Sequence, residues 1–323
     1  MRALIRTAGF AASAVLLAAA PVFSHDFWIE PSSFRADGNQ ITRIMLDIGH
    51  NLRGTPMVRD RSQFERFVIA GPNGEFPVLG RDGAHPAGLI RTPRPGVYVV
   101  GFHSRPAEIQ LAPKPFETYL REAGLERIIA QRAERGETQR PGRERFSRCA
   151  KSLIVSGPPS AEGFDKRLGF PLELVPLANP MIAGGRTVPF LLIYDQKPCP
   201  GVQVLAVHRD RPDEPFVTRS DEQGTVRLNL DRDGIWLIKA VYMVRAPEGS
   251  GADWQSFWAS LTFERGGSDD GRVTSRPFSS RSRPANEIPH SDVRTPTARL
   301  DRYQYLLDQL RPSRSAPATM PVR

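Results

Sequence analysis

One of the six histidines in this sequence, His25, follows directly on an N-terminal stretch with the properties of a signal peptide. That stretch has arginines near its start, an apolar run over residues 8–20, and small residues at a natural cleavage point. We expect cleavage after Ser24, since the competing cleavage after Ala20 would place Pro21 just past the bond. His25 would then be the first residue of an exported chain, which we expect in the periplasm.

An N-terminal histidine offers one metal ion two nitrogen donors, its free α-amine and its imidazole Nδ1. The pKa values of these groups are about 8 and 6.5, so a metal ion displaces few protons from them at neutral pH. A third nitrogen would complete a T-shaped donor set, which suits Cu(II) or Ni(II) better than the oxygen-preferring Mg(II) or Ca(II). The sequence therefore predicts a site for Ni, Co or Cu at His25.

The third donor has to come from another residue, and His50 is the first candidate. It ends an apolar run and follows Gly49, which would allow a close approach of the backbone. His103 also ends a strand-like run and is the second candidate, although a histidine in such a place is more often a surface or hydrogen-bonded residue. Asp26 and Asp47 are considered as oxygen donors or as acceptors for a ligand's ring N–H. The candidate metal ligands are His25, His50, His103 and Asp26.

These residues must be positioned by short β-type runs. The turn signals between the runs indicate how the chain divides into domains. After the signal peptide (1–24), strand-like runs separated by Pro-Asn-Gly and Arg-Asp-Gly turns predict a β-sandwich at 25–112 that carries the metal site. Apolar residues at helical spacing predict a short helical insertion or linker at 113–169. Turns such as Asp-Glu-Gln-Gly predict a second sandwich at 170–264. Gly, Ser, Arg and Pro dominate 265–323 and predict a disordered basic tail.

The predicted fold class is therefore mainly β, with two antiparallel sandwiches of immunoglobulin-like or transthyretin-like type. Net charge and the length of the apolar runs exclude further classes of function. A net charge of +9 raises the question of nucleic-acid binding, but the arginines are dispersed and partly concentrated in the tail, so we expect no nucleic-acid partner. No later run approaches the roughly 18 apolar residues of a membrane span. The mature chain is therefore expected to lack a transmembrane segment.

Catalytic motifs are scarce in this sequence. It contains no phosphate loop, dinucleotide fingerprint, nucleophile elbow or paired-histidine zinc-protease motif. We therefore expect no catalytic residues and a protein that is not an enzyme. Two cysteines, Cys149 and Cys199, either form a disulfide in an oxidising compartment or stay apart.

Eight aromatic residues near the two ends of the predicted sandwich region also admit two interpretations. Core packing explains them better than an exposed stacking platform beside a metal, which a polysaccharide-active copper enzyme would need. They are Phe27, Trp28, Phe34, Trp236, Trp254, Phe257, Trp258 and Phe263.

Several segments of the sequence together match the motifs of one known family. They are His25-Asp-Phe-Trp-Ile-Glu-Pro, Gly49-His50, Glu144-Arg-Phe-Ser-Arg-Cys-Ala-Lys151, Leu172-Glu-Leu-Val-Pro176 with Asn179-Pro180, Trp236-Leu-Ile-Lys-Ala-Val and Asp253-Trp-Gln-Ser-Phe-Trp-Ala-Ser-Leu-Thr-Phe263. This set resembles the NikM-like family, which is related to nickel-uptake components and is catalogued largely as a domain of unknown function. The resemblance spans residues 25–264 approximately. It implies an exported β-rich protein of transition-metal handling, with the processed His25 and the Gly-His pair at His50 as ligands.

Three functions remain open at this stage. The leading one is a non-enzymatic periplasmic protein that binds Ni, Co or Cu and is accessory to metal uptake or handling, with an inner-membrane metal transporter as a partner. The second is a copper-dependent oxygenase that uses the same N-terminal histidine brace. The third is a structural envelope or adhesion-type protein in which His25 binds no metal.

Overall fold

The computed structural model describes residues 25–36, 40–158, 162–182 and 185–266. The predicted signal peptide and the predicted tail beyond residue 266 lie outside the described residues. Within the described part, strands dominate and two helices interrupt them. The fold class is therefore mainly β, as the sequence predicts. No helix in these ranges is long and apolar enough to cross a membrane.

The described strands form three sheets. The N-terminal sheet consists of β1 (Asp26–Pro31), β3 (Thr42–His50), β4 (Arg53–Met57) and β7 (Gly88–Ile90). The C-terminal sheet consists of β11 (Leu172–Pro176), β12 (Thr187–Tyr194), β13 (Lys197–Pro198) and β16 (Thr225–Asn229).

The central sheet is the largest, with ten strands. In spatial order its main path is β15 (Arg211–Arg219), β14 (Gln203–His208), β17 (Gly234–Arg245), β18 (Trp254–Arg265), β10 (Gly142–Ser156), β8 (Gly96–Ser104), β5 (Phe64–Gly71) and β6 (Gly74–Pro77). The short strands β2 (Arg35–Ala36) and β9 (Ala107–Leu111) pair with β10 outside this path.

The central sheet is the middle of three layers, because successive side chains along its strands point to opposite faces. On β5, Phe67 and Ile69 join the apolar cluster under the N-terminal sheet. Their neighbours Val68 and Ala70 join the cluster under the C-terminal sheet. Both faces of the central sheet are thus buried, and each is covered by a smaller sheet.

Strand β10 lies between β8 and β18, so the central sheet combines strands from both predicted sandwiches. β10 runs antiparallel to β8 but parallel to β18, with Glu144 opposite Trp254 and Ser152 opposite Thr262. No local sequence pattern indicates this pairing, since parallel neighbours are joined by long connections. The division of the chain into separate domains stays a prediction.

The predicted helical insertion contains two helices, α1 (Pro113–Glu122) and α2 (Glu126–Glu134). Pro113 stands at the start of α1, where its fixed φ fits the first turn. Gly124, with a φ of 67°, lies between the helices in a conformation that favours glycine. The apolar side of this pair packs on the central sheet through Phe116, Leu120, Ile128, Met243 and Trp254.

A buried polar cluster lies where α1 meets the central sheet. Glu144 on β10 is 2% exposed and accepts hydrogen bonds from Tyr119 Oη at 2.9 Å and from Ser256 Oγ. Trp258 Nε1 in turn donates to Ser256 Oγ at 2.9 Å. Burial raises the pKa of the Glu144 carboxyl to about 7, although these hydrogen bonds act in the opposite direction.

This raised pKa predicts a pH dependence of stability. Between the ordinary carboxyl pKa of 4.5 and about 7, the folded chain holds a proton on Glu144 that the unfolded chain has released. The free energy of unfolding should therefore fall as pH rises through that window, by up to about 3 kcal/mol from this group. Urea unfolding of wild type and Glu144→Gln at pH 4.5 and pH 7.5 measures this contribution. The variant should gain stability relative to wild type at pH 7.5, and an equal pH slope in both proteins would contradict the prediction.

The two cysteines are free and buried in the cluster between the central and C-terminal sheets. Burial raises the pKa of the Cys149 thiol to about 12 and that of the Cys199 thiol to about 11. Of the two alternatives for these residues, the structure has the thiols unpaired.

Candidate metal centre

His25 and His50 lie beside each other at one end of the N-terminal sheet. β1 pairs antiparallel with β3, with Asp26 opposite Gly49 and Phe27 opposite Ile48. Continuing this register by one residue places His25 opposite His50, and facing residues have Cβ atoms about 4.5–5.5 Å apart with side chains on one side of the sheet. His25 is half-buried and His50 is exposed. The structure thus brings together the first two candidate ligands.

The electrostatics of His25 agree with this placement. The pKa of its imidazole is lowered, first by burial, then by the positive charge of Arg148, and to a lesser extent by His50. Asp26 acts in the opposite direction. A lowered pKa keeps the ring neutral at pH 7, which is the form that coordinates a metal ion.

The turn after His50 is a tight hairpin that joins β3 to β4. Asn51 and Leu52 have φ values of 49° and 62°, the left-handed pair that a two-residue type I′ turn needs. A Cβ on Gly49 would lie 2.1 Å from the carbonyl oxygen of Arg53, so only glycine fits there. The expectation of a close backbone approach at Gly49 is met, and this approach fixes where β3 delivers His50.

A buried network holds this hairpin against β1 and the central sheet. Lys239 Nζ donates to both carboxylate oxygens of Asp26, at 2.8 and 2.7 Å, and to Asn51 Oδ1 at 2.8 Å. The Asn51 backbone N–H donates to Asp26 Oδ2 at 2.7 Å, and Asn51 Nδ2 donates to the carbonyl of Pro212 at 2.7 Å. Because Asp26 and Asn51 are the chain neighbours of His25 and His50, the network fixes both histidines.

Asp26, predicted as a metal ligand, therefore has another set of partners in the structure. Its carboxylate is buried, is paired with Lys239, and points to the side of β1 opposite to His25. The observed contacts make it a residue that positions the histidines.

Asp47 lies on that same side, opposite Trp28 in the strand register. Burial, together with the charge of Glu30, raises the pKa of the Asp47 carboxyl to about 6, while Arg209 acts to lower it. Glu30 itself accepts from Trp28 Nε1 at 3.1 Å and from Arg209 Nη2 at 2.5 Å. These carboxylates form a group of their own, apart from the histidine pair.

His103 is not brought to the other two histidines. It lies on β8 next to Phe102, whose ring contacts Phe27 with centroids 5.0 Å apart. His103 points to the other face of the central sheet, where its Nδ1 lies 3.3 Å from Glu65 and its ring 5.5 Å from that of Phe170. Burial lowers the pKa of His103. The whole thickness of the central sheet separates His103 from His25.

The side chains of this centre supply two nitrogen donors. Across residues 25–36, 40–158, 162–182 and 185–266, no group of three or more His, Cys, Asp or Glu side chains is arranged to hold a metal ion. The donor set fits a metal only when the α-amine of His25 is the third ligand, which requires cleavage after Ser24. A Cu(II) or Ni(II) ion tolerates such a set because it accepts three nitrogens in one plane.

The aromatic residues are packed inside, as the core interpretation predicts. Seven of the eight are buried and Trp258 is partly buried. These residues therefore provide no exposed platform next to His25.

Three residues of the centre were missed by the sequence analysis. Asn51 follows Gly49-His50 at a place where a left-handed turn residue is expected, and this signal was available. Lys239 interrupts an apolar strand, which indicates a buried cation in need of a partner. Arg148 gave no local signal, because its position beside His25 depends on how two sheets pack.

A three-layer β fold with two facing histidines at the start of its N-terminal sheet defines a class, a β-sandwich protein with a candidate two-histidine metal centre. The chain belongs to the family described as "Domain of unknown function (DUF4198)", whose model matches residues 22–244. No curated protein matches the chain.

Solved structures with some likeness to the chain come from adhesion proteins. A tetra-tandem repeat from the extending region of a large adhesion protein is 12% identical, with a TM-score of 0.20, and the match covers 76% of this chain and 50% of that one. The D0-D1 domain of Intimin is 12% identical, with a TM-score of 0.17 and coverage of 74% and 97%. The Yersinia pseudotuberculosis adhesin InvE is 12% identical, with a TM-score of 0.17 and coverage of 73% and 58%. The chain spans half of the length of the first of these structures.

Proposed function

We propose that this is an exported, periplasmic protein that binds a Ni, Co or Cu ion without catalysing a reaction, using the mature N-terminus and His50. The observation that carries the proposal is the pairing of β1 with β3, with Asp26 opposite Gly49, which brings the adjoining residues His25 and His50 together. Cleavage after Ser24 belongs to the proposal, because it frees the amine that the donor set lacks.

The chemistry of the bound ion follows from this geometry. The amine and Nδ1 of His25 close one chelate ring, and His50 adds a nitrogen from the neighbouring strand. All three donors are neutral, so the ion keeps its full positive charge and has open coordination positions toward solvent. Such a centre suits the capture and release of an ion.

Preorganisation supports the proposal. The network of Asp26, Asn51 and Lys239 holds the residue that follows each histidine before any ion arrives. A ligand set already held in place loses little conformational entropy on binding, which raises affinity.

The motifs that resemble the NikM-like family extend the proposal to the context of the protein. Under this proposal, the protein is accessory to metal uptake or handling, and an inner-membrane metal transporter receives the ion. The exposed position of His50 would allow that transfer, because a partner can reach the ion without opening the fold.

The test is a comparison of metal affinities in purified protein that begins at His25, confirmed by intact mass. Calorimetric titration with Ni(II), Co(II) and Cu(II) should give one site per chain. His25→Ala and His50→Ala should each weaken binding by about 100-fold or more, since losses in the outer shell alone cost about 10–100-fold. His103→Ala should keep wild-type affinity, because it lies across the central sheet.

A second experiment tests the contribution of the His25 α-amine to metal affinity. Protein that begins at His25 with an acetylated N-terminal amine keeps both imidazoles but loses the amine as a donor. Its affinity should fall as far as that of His50→Ala. If the acetylated protein binds as tightly as the protein with a free amine, or if both alanine variants keep full affinity, the proposal is wrong.

A further inference from the structure

Arg148 lies beside the proposed centre, on the side of β1 to which His25 points. It lies on β10 and faces the N-terminal sheet, like its neighbour Ala150. Its guanidinium carbon is 5.2 Å from the ring centroid of Phe27 and 5.2 Å from that of Phe146. Phe27 is two residues from His25 on the same side of β1, so this contact places the guanidinium near His25.

No carboxylate partners this guanidinium among the described residues. Other arginines of the protein form ion pairs, such as Arg209 with Glu30 and Arg53 with Asp213. The hydrogen bond at Arg148 is a backbone one, donated by its N–H to Ser104 Oγ at 2.8 Å. The carboxylate of Asp26, which follows His25 in the chain, is paired with Lys239 on the other side of β1. The Arg148 guanidinium is thus held by the rings of Phe27 and Phe146, next to the site where the proposed function places a metal ion.

Such an arrangement has an electrostatic imbalance. Two imidazoles and an amine add no negative charge, so a divalent ion and Arg148 would repel each other in a half-buried site. A small anion between the two cations would remove the repulsion.

We propose that the centre takes up its metal ion together with a small carboxylate, which binds an open position of the ion and is held on its other side by Arg148. This inference rests on the proposed function. A guanidinium suits the role because its planar fork matches both oxygens of a carboxylate, and the flanking rings of Phe27 and Phe146 hold that fork in one orientation. The carboxylate thereby becomes part of the substrate, so the protein binds a metal ion with its carboxylate counter-ion more tightly than the ion alone.

The experiment uses anion binding to the Cu(II)-loaded protein that begins at His25. Azide is the spectroscopic probe, because its coordination to Cu(II) produces a charge-transfer band, and acetate is the competing carboxylate. Titrations at constant ionic strength compare wild type with Arg148→Gln and Arg148→Lys. Arg127→Gln is the matched control, since this arginine also lies over a ring, that of Tyr242 at 5.5 Å, but on α2.

Arg148→Gln should weaken both azide and acetate by about tenfold, as expected for the loss of one charge-assisted hydrogen bond, without weakening Cu(II) itself. Arg148→Lys keeps the charge but not the fork, so acetate should weaken more than azide. Circular dichroism checks the fold, and the lysine variant carries the test if the glutamine variant does not fold.

Failure of the inference is distinguishable from failure of the proposed function. If Cu(II) binds but azide and acetate affinities are the same in wild type and both Arg148 variants, the inference is wrong and the metal centre stands. If Cu(II) does not bind with or without acetate, both are wrong.

Discussion

Replacing Lys239 by methionine is expected to lower the free energy of unfolding by about 3 kcal/mol and to weaken metal binding at the same time. The substitution keeps the length of the side chain but leaves the Asp26 carboxylate, which is 8% exposed, without its counter-ion. Removal of one partner from a buried ion pair typically costs about 3–5 kcal/mol, and the low end applies because the Lys239 side chain is still 16% exposed. Asn51 also loses a partner, so the hairpin that carries His50 loosens.

Urea unfolding and metal titration of the same samples measure both effects. The matched control is Arg53→Met, which removes another ion pair between this hairpin and the C-terminal half. The Arg53–Asp213 pair is exposed, with side-chain exposures of 64% and 72%, so its loss should cost less than about 1 kcal/mol. In the double variant Asp26→Asn/Lys239→Met the unpaired charge is gone, and the loss should be smaller than the sum of the two single losses. Equal losses for Lys239→Met and Arg53→Met would contradict the role of the buried network.

Replacing Lys151 by methionine is expected to lower the free energy of unfolding by about 4 kcal/mol with no effect on metal affinity. Lys151 and Glu173 form an ion pair at 3.0 Å with side chains 1% and 0% exposed. Glu173 also accepts hydrogen bonds from the backbone N–H groups of Leu168 and Phe170, each at 2.9 Å. The variant would therefore bury an unpaired carboxylate, for which about 3–5 kcal/mol is typical.

Lys151→Met is informative because its effects can be compared with those of Lys239→Met. Lys151 points to the face of the central sheet that the C-terminal sheet covers, whereas the histidine pair lies on the other face. Lys151→Met/Glu173→Gln, which removes both charges, should recover part of the lost stability. Should Lys151→Met also weaken metal binding, the two faces would be coupled, and affinity losses at Lys239 would no longer report on the hairpin alone.

Much of the fold could be predicted from local patterns. Alternating apolar residues and Gly-containing turns indicated the strands, and the 3.6-residue spacing around Phe116 and Ile128 indicated the helices, because both signals depend only on near neighbours. His25 and His50 could be nominated for the same reason, since each is marked by its immediate context.

The tertiary contacts of these residues could not be predicted from local sequence patterns. Asp26 seemed suited to bind metal because it adjoins His25, but adjacent residues of a strand point to opposite sides, and the other side of β1 holds Lys239. His103 seemed suited because it ends a strand, but its side chain faces a different layer. Both outcomes depend on which face of each strand meets which sheet.

The sequence by itself therefore determined the elements, the mainly β class and the two histidines with the clearest ligand chemistry. The tertiary structure decided that His25 stands opposite His50, that Lys239 locks their hairpin, and that Arg148 faces them from another sheet. It also decided the parallel pairing of β10 with β18. The physical reason is that strand order and register are set by burial of whole faces between distant segments, which no short window of residues encodes.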